Sequence, residues 1–427
     1  MKAAAPLSIG LYTYSTQPRG SVVHCAALAD ALVANGHSVT VYALAKPGSE
    51  SFFRTLEAQL VLIACEPGPA SLDLLIEQRI SEFARCVREL SAQHDVHHAQ
   101  DSLAANALLR ARPKHGAVVR TVHHVEHFDS LSLEDCQARS IHDSDLVLAV
   151  SAATQQDVKH TYGVRSTRVH NGVEQRRFER ASKSSVEQLR TRLGLRFFAR
   201  APEGAPGPFV RATAREQGPV VVSFGGIESR KNTLRMLDAF MMLRTTEPSA
   251  QWLIVGGASI LDHSVYREEF ERRLSRTSKA DQQAVFCTGV LSDAEIQAAY
   301  GLADVVAQPS LREGFGLCAL EALAAGVPLI ASRRAPFTEY LDDSCAWLVD
   351  PEDSADLLQA LRRALSQDEG HAARRQRGVE LAARFCWSRV AEEHEQLYGQ
   401  LVTRGAPGPD ESSLLTVRHR THGRNVH

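Results

Sequence analysis

DVVAQPSLREGFGLCALEALAAGVPLIAS, residues 304–332, holds a complete structural unit. DVVAQPS is a short apolar run, LREGFG a glycine loop, CALEALAAG an apolar helical run and PLIAS a second short apolar run. Short runs of Val, Ile and Leu with little alternation fit strands buried on both faces, the mark of a parallel sheet covered by helices. The same rhythm extends to both sides. PVVVSFGG (219–226) starts it, NTLRMLDAFMML, QWLIVGG and AVFCTGV follow, and AWLVD closes it. LSDAEIQAAYGLA (291–303) opens a helix with a capping box, Ser292 and Glu295.

An earlier series repeats the design. Strands are expected at LSIGLYTY (7–14), HSVTVYAL (37–44), AQLVLIAC (58–65), AVVRTVHH (117–124) and DLVLAVS (145–151), with a helix over SVVHCAALADALVANG (21–36) that stops at Asn-Gly. HDSDLVLAVS (142–151) and YGLADVVAQPS (300–310) echo each other as helix end, aspartate, buried strand and serine. The fold class is therefore α/β, with two Rossmann-like doubly wound domains. Between them, residues 174–218 carry many arginines with Phe197, Phe198 and Phe209, and include APEGAPGPF. This stretch reads as a solvated linker or insertion, or as a basic-aromatic surface for a membrane or an acidic partner.

The chain of 427 residues has room for such domains, and its net charge of -2 argues against nucleic acid as a main partner. Eight scattered cysteines with no CxxC pair read as buried thiols of a reducing compartment. MKAAAPLSIGLYTYS is too short and too polar for a signal peptide, so the expected location is cytoplasmic, with the inner face of a membrane left open.

In open α/β sheets ligands bind beyond the carboxyl ends of the strands, which places Glu313, Gly314, Phe315 and Gly316 in a crevice. Helix N-terminal amides there attract phosphate. Glu313 and Glu321 stand eight positions apart, about 12 Å at helical rise. That is too wide for a glycosidase pair, which needs roughly 5–9.5 Å. It suits a long ligand with hydroxyls at both ends and phosphates between, as in a nucleotide sugar. Arg230 and Lys231 cluster at a helix start, where cations are unfavourable unless an anion is expected.

Glu313 to Glu321 resembles the E-x7-E signature of the family-4 retaining glycosyltransferases of the GT-B fold. The resemblance extends to FGGIESRKNTLRMLDAF (224–240), to LADVVAQPSLREGFGLCALEALAAGVPLIAS (302–332), to HNGVEQRRF (170–178) at the domain join and to CWSRVAEEHEQLY (386–398). It is close over 219–401 and looser over 1–173. It implies an acceptor-binding domain over 1–173, the 174–218 linker, a nucleotide-sugar-binding domain over 219–385, a helix over 386–404 that crosses back to the first domain, and a disordered tail over 405–427.

The resemblance also implies roles. Glu321 would accept the ribose hydroxyls, and Glu313 would face the donor sugar. The amides of Phe315, Gly316 and Leu317 would meet sugar and phosphates, and Arg230 and Lys231 would neutralise the leaving diphosphate. Gly20 would let a helix end approach those phosphates, and His123 would lie near the sugar. Two features depart from the family pattern: Arg19-Gly20 stands in place of paired glycines, and Gly226 in place of an arginine.

The implied reaction is transfer of a hexose-type sugar, with retention and without metal or other cofactor, from a nucleoside diphosphate sugar to a saccharide, lipid or small-molecule hydroxyl. Alternatives are a non-catalytic sugar-nucleotide-binding subunit, or a phosphorylase or epimerase of the same fold. HHVEHF (123–128) also allows a metal site at His123, His124 and His127, and Asp143-Ser144-Asp145 mimics a metal motif at what reads as a structural position.

Overall fold

The computed structural model describes residues 5–90, 94–128, 130–178, 181–195, 218–257, 264–366 and 369–404. The chain forms two compact units, one built on Met1–Gly172 and the chain from Trp387 onward, the other on Val173–Cys386.

The first unit runs β1 (Ser8–Thr13), α1 (Gly20–Ala34), β2 (Ser38–Ala45), β3 (Gln59–Ala64), α2 (Leu72–Leu90), β4 (Val96–Ala99), α3 (Ser102–Ala111), β5 (Ala117–Val122), α4 (Leu131–His142), β6 (Leu146–Ala149), α5 (Ala152–Tyr162) and β7 (Thr167–Arg168). Its parallel strands are ordered β3-β2-β1-β4-β5-β6-β7. The second unit runs α6 (Gln175–Phe178), α7 (Lys183–Leu193), β8 (Val220–Phe224), α8 (Thr233–Arg244), β9 (Gln251–Val255), α9 (Ser264–Ser275), α10 (Lys279–Gln282), β10 (Val285–Cys287), α11 (Asp293–Leu302), β11 (Val305–Gln308), α12 (Leu317–Ala324), β12 (Leu329–Ser332), β13 (Trp347–Val349), α13 (Ser354–Leu365) and α14 (Glu369–Ala382). Its parallel order is β10-β9-β8-β11-β12-β13. The last helix, α15 (Trp387–Arg404), returns to the first unit. Both are doubly wound sheets, and strand order reverses between β1 and β4 and between β8 and β11.

Each sheet is covered on both faces, which is why its strands lack polar alternation. In the first unit Ile9 and Leu11 pack with Leu28 and Leu32 of α1 and with Leu397 and Leu401 of α15. On the opposite face Tyr12 packs with Phe83 of α2 and Leu108 of α3. In the second, Val221, Trp252 and Ile254 pack with Phe240 of α8 and Leu361 of α13.

The aspartates that precede strands share one task. Asp145 accepts the Val118 amide at 2.7 Å, Asp304 accepts the Val220 amide at 2.8 Å and Asp95 accepts the Ser8 amide at 2.8 Å. Each also donates its own amide to the same residue's carbonyl, so a carboxylate closes the start of the neighbouring strand. Asp145 is thus a strand staple, and the echo of 142–151 in 300–310 is a repeated backbone solution.

Strand β4 is absent from the sequence-based strand list because its residues are VHHA. His97 is buried against the Tyr12 hydroxyl at 2.9 Å and the His115 carbonyl at 3.0 Å. His98 is held by the Tyr398 hydroxyl and the Thr121 hydroxyl, both at 2.6 Å. The polar strand is tolerated because distant residues complete its hydrogen bonds.

The 174–218 stretch is not simply linker: α6 and α7 belong to the second unit. Phe178 is buried edge-on to Tyr300 at 5.3 Å. Arg177 pairs with Asp293, and Arg192 with Glu295 at 2.9 Å. These side chains serve the unit's own packing, not a basic outer surface. Phe197, Phe198, Phe209, APEGAPGPF and the 405–427 tail lie outside the described residues. The expectation of buried thiols holds for Cys25, Cys86, Cys136 and Cys345, whereas Cys287 is exposed. No described helix is long and apolar enough to cross a membrane.

Tyr398→Phe keeps the ring and strands a buried His98 nitrogen. It should cost about 1–3 kcal/mol, read as a lower urea midpoint at unchanged slope.

Candidate functional site

In the second unit the carboxyl ends of β8 and β11 flank the reversal point. After β8 the chain turns at Gly225 (φ 118°) and Gly226 (φ 74°), then forms a single 3₁₀ turn, Ser229–Lys231. A Cβ on Gly225 would lie 2.3 Å from Lys231 Cε, so glycine is what lets the lysine stem cross the strand end. Asn232 follows in the left-handed region (φ 61°). Its buried amide donates to the Pro309 carbonyl at 3.0 Å and the Pro351 carbonyl at 2.6 Å, tying the loops after β8, β11 and β13 together.

Glu313 lies in the loop after β11 with its side chain 9% exposed. It accepts from Lys231 Nζ at 2.5 Å and Ser310 Oγ at 2.9 Å, with Arg230 Nη1 at 3.5 Å. Arg230 Nε also meets Glu228 at 2.8 Å. Burial alone would raise the Glu313 carboxyl, but Lys231, Arg230 and Ser310 outweigh it and hold the group below the usual carboxylate range. The predicted Arg230, Lys231 and Glu313 therefore form one cluster, with the carboxylate enclosed and Arg230 reaching solvent.

Glu321 sits on α12, where burial raises its carboxyl while the Tyr300 hydroxyl, donating at 2.7 Å, and the Arg177 charge pull the other way. The 12 Å estimate between Glu313 and Glu321 does not apply, because Glu313 precedes α12 and helical rise covers only part of the interval. Gly316 caps α12 at φ 91° with no side-chain cap, and no acidic residue occupies the first turn. The amides of Gly316 and Leu317 so begin a helix that lacks a capping side chain. A Cβ on Gly316 would lie 2.4 Å from Phe337, so aromatic packing and the positive φ both demand glycine there. Phe315 is buried, stacked on Tyr340 at 5.1 Å, and its carbonyl accepts from the Tyr340 hydroxyl at 2.9 Å.

His123 and Gly20 belong to the first unit. His123 follows β5, shares a hydrogen bond with Gln100 Oε1 at 3.1 Å and meets the ring of His24 edge-on at 4.8 Å. His24 lies one turn beyond Gly20 on α1 and bonds Asn171 at 2.9 Å. Trp387 and His394 of α15 stand 5.2 and 6.1 Å from His24. Burial pushes His24 down to about 3 and His394 to about 4, and takes His98 and His123 well below 6.5. A metal site in HHVEHF is not assembled: His123 turns to Gln100, His124 pairs with Glu126 at 2.9 Å and His127 is exposed. Among the described residues no group of three or more His, Cys, Asp or Glu side chains is placed to hold a metal ion.

Sequence reasoning missed Tyr300, Ser310, Asn232, Gln100 and His24. Tyr300 is a core aromatic on α11, stacked on Phe224 at 4.3 Å, with its hydroxyl donating to Glu321. Asn232 carried the one usable signal, an asparagine directly before a helix.

Two family models match the chain: Glycosyltransferase Family 4 over residues 18–177 and Glycosyl transferases group 1 over residues 209–380. The chain is 28% identical over 292 residues to D-inositol 3-phosphate glycosyltransferase of Corynebacterium urealyticum. That match covers 67% of this chain and 64% of the relative, less than two thirds of its length. Among solved structures, sucrose-phosphate synthase from Thermosynechococcus elongatus superposes with a TM-score of 0.72 at 19% identity, covering 93% of this chain and 100% of that one. Anabaena HepE, solved with UDP-glucose, superposes with a TM-score of 0.70 at 18% identity, again covering 93% and 100%.

The buried histidines make the first unit acid-sensitive. Their folded pKa values lie below the unfolded value of about 6.5, so their stability is complete above that pH and falls as the unfolded chain takes up protons below it. Each should remove about 1.4 kcal/mol per pH unit below 6.5 until its folded pKa is reached. Urea midpoints followed from pH 7 to pH 5 should fall, and His394→Gln should flatten the slope by one histidine's share.

Proposed function

We propose a donor and a reaction on one premise: the chain belongs to the family-4 glycosyltransferases of the GT-B fold. The reaction is transfer of a hexose-type sugar from a nucleoside diphosphate sugar to an acceptor hydroxyl, with retention of anomeric configuration and without a metal ion. The observation that carries this reading is the Glu313–Lys231–Arg230 cluster beside a helix N-terminus that no side chain caps. Anabaena HepE, solved with UDP-glucose, and a relative named for transfer to an inositol phosphate support it by likeness.

Each part of the donor finds a chemical match. The amides of Gly316 and Leu317 begin α12, where dipole and unpaired donors favour a diphosphate. Arg230 and Lys231 supply the positive charge that grows in importance as the diphosphate leaves, the role a metal ion would otherwise fill. Glu321, steadied by Tyr300, accepts the ribose hydroxyls. Glu313 stays ionised and orients the sugar, or steadies positive charge developing on it. From the family resemblance we assign His123 to the sugar and Gly20 to the phosphates.

Same-face substitution is the step we favour. The acceptor oxygen bonds to the anomeric carbon as the bond to the leaving diphosphate breaks, and a phosphate oxygen takes the acceptor's proton. The protein contributes orientation and fixed charge.

A thermal-shift panel with UDP, GDP, ADP and dTDP tests the donor. One nucleotide at a hundred times its dissociation constant should stabilise the protein by about 2.7 kcal/mol, and Glu321→Ala should shrink that shift. Silence with all four would overturn the reading. Glu313→Gln should retain the nucleotide shift while lowering sugar transfer roughly 10²–10³-fold, measured with the responding nucleotide's sugar.

A further inference from the structure

His123 is oriented by one buried side chain that the proposed reaction does not yet use. Gln100 follows β4, and its backbone amide donates to the Tyr12 carbonyl at 2.9 Å, which continues the β1–β4 pairing by one residue. β4 and β5 pair in register Ala99↔Arg120, so Gln100 stands level with Thr121, two residues short of His123. Gln100 is 1% exposed, and its Oε1 lies 3.1 Å from His123 Nε2. An amide oxygen only accepts, so Nε2 donates and carries the ring proton. Burial, then the charges of His24, Arg120, His124 and His98, keeps the ring from a second proton near neutral pH. A neutral ring protonated at Nε2 has a bare lone pair at Nδ1. Nδ1 has no partner among the described residues, and His123 is half-buried rather than sealed.

The neighbouring imidazoles are committed elsewhere. His24 Nδ1 bonds Asn171 Oδ1 at 2.9 Å, and His24 meets His123 only as an edge-on ring at 4.8 Å. His98 is taken by the Tyr398 and Thr121 hydroxyls, and His394 Nδ1 by the Val390 carbonyl at 2.7 Å. Gln100 itself gains little from its burial. Its Nε2 is enclosed with no hydrogen-bond partner among the described residues, so the bond to His123 is the one its side chain makes. An enclosed amide with unpaired N–H groups weakens a fold where an apolar side chain of the same size would not. Its presence points to a task at the ring rather than to packing.

We propose that Gln100 is a positioning residue for His123: it fixes the ring proton on Nε2, so that Nδ1 accepts a hydrogen bond from a hydroxyl of the transferred sugar. The hydroxyl rests on the transferase reading, whereas the position of the proton does not. A site built to accept from a hydroxyl also discriminates against a sugar that lacks it, because the ring nitrogen is then left unpaired.

The test starts with the full chain labelled with nitrogen-15 in its histidine rings. Long-range proton–nitrogen spectra show which ring nitrogen is protonated, and the signals lost in His123→Gln identify His123. The wild type should show Nε2 protonated and Nδ1 bare from pH 6 to pH 8. Gln100→Met should give averaged signals of a mixed tautomer, and Gln100→Glu, which keeps an accepting oxygen, should restore the proton to Nε2. A proton on Nδ1 in the wild type overturns the proposal even if no variant folds, and so does a tautomer that Gln100→Met leaves unchanged. Calorimetry with UDP, UDP-glucose, GDP and GDP-mannose tests the hydroxyl. Gln100→Met should weaken the nucleotide sugar that binds by at least fivefold and leave its free nucleotide within twofold. Equal weakening of both, or of neither, overturns the sugar contact. If none of the four binds while the tautomer still depends on Gln100, the donor reading fails and the positioning of His123 stands.

Discussion

Parallel strands buried on both faces put their first amides along one edge of the sheet and their carboxyl ends along the other, with no solvent to satisfy either from above or below. The starting edge is closed by carboxylates: Asp95, Asp145 and Asp304 each take an amide at the start of a neighbouring strand. The finishing edge is left to loops. The residues assigned to the donor, from His123 in one unit to Arg230, Glu313 and Glu321 in the other, lie on a loop or helix that follows such a strand.

The two units handle buried ionisable groups in opposite ways. In the second unit the cost of burying Glu313 is offset by Lys231, Arg230 and Ser310, so the carboxylate stays charged. Asn232 and Gly225 make that possible, one by joining three loops, the other by leaving room for the lysine stem. In the first unit, among the described residues, no carboxylate offsets the burial of His24, His98 or His394, so burial holds the rings neutral. Neutral imidazoles can accept as well as donate, and the cluster uses this to join β4, β5, α1 and α15 through Tyr398, Thr121 and Asn171.

Much of this was legible along the chain. The apolar strands of both units could be read because burial on two faces leaves an uninterrupted Val, Ile and Leu signal. The loop before α12 could be read because a glycine pair between glutamates at a strand end has few structural uses. β4 could not be read, since VHHA becomes a strand only when Tyr12, Thr121 and Tyr398 complete it. Nor could α6 and α7, whose arginines pair with Asp293 and Glu295 more than a hundred positions away.

By itself the sequence determined two doubly wound parallel sheets, their helix-strand rhythm, and Glu313 and Glu321 around a glycine loop. Those features rest on local periodicity and spacing, which neighbours along the chain enforce. Only the tertiary structure decided which cation meets Glu313, that Tyr300 holds Glu321, and that Asn232 ties three loops together. Those depend on pairing across distant loops, where a shift of a few ångströms changes the partner and no local pattern records the choice.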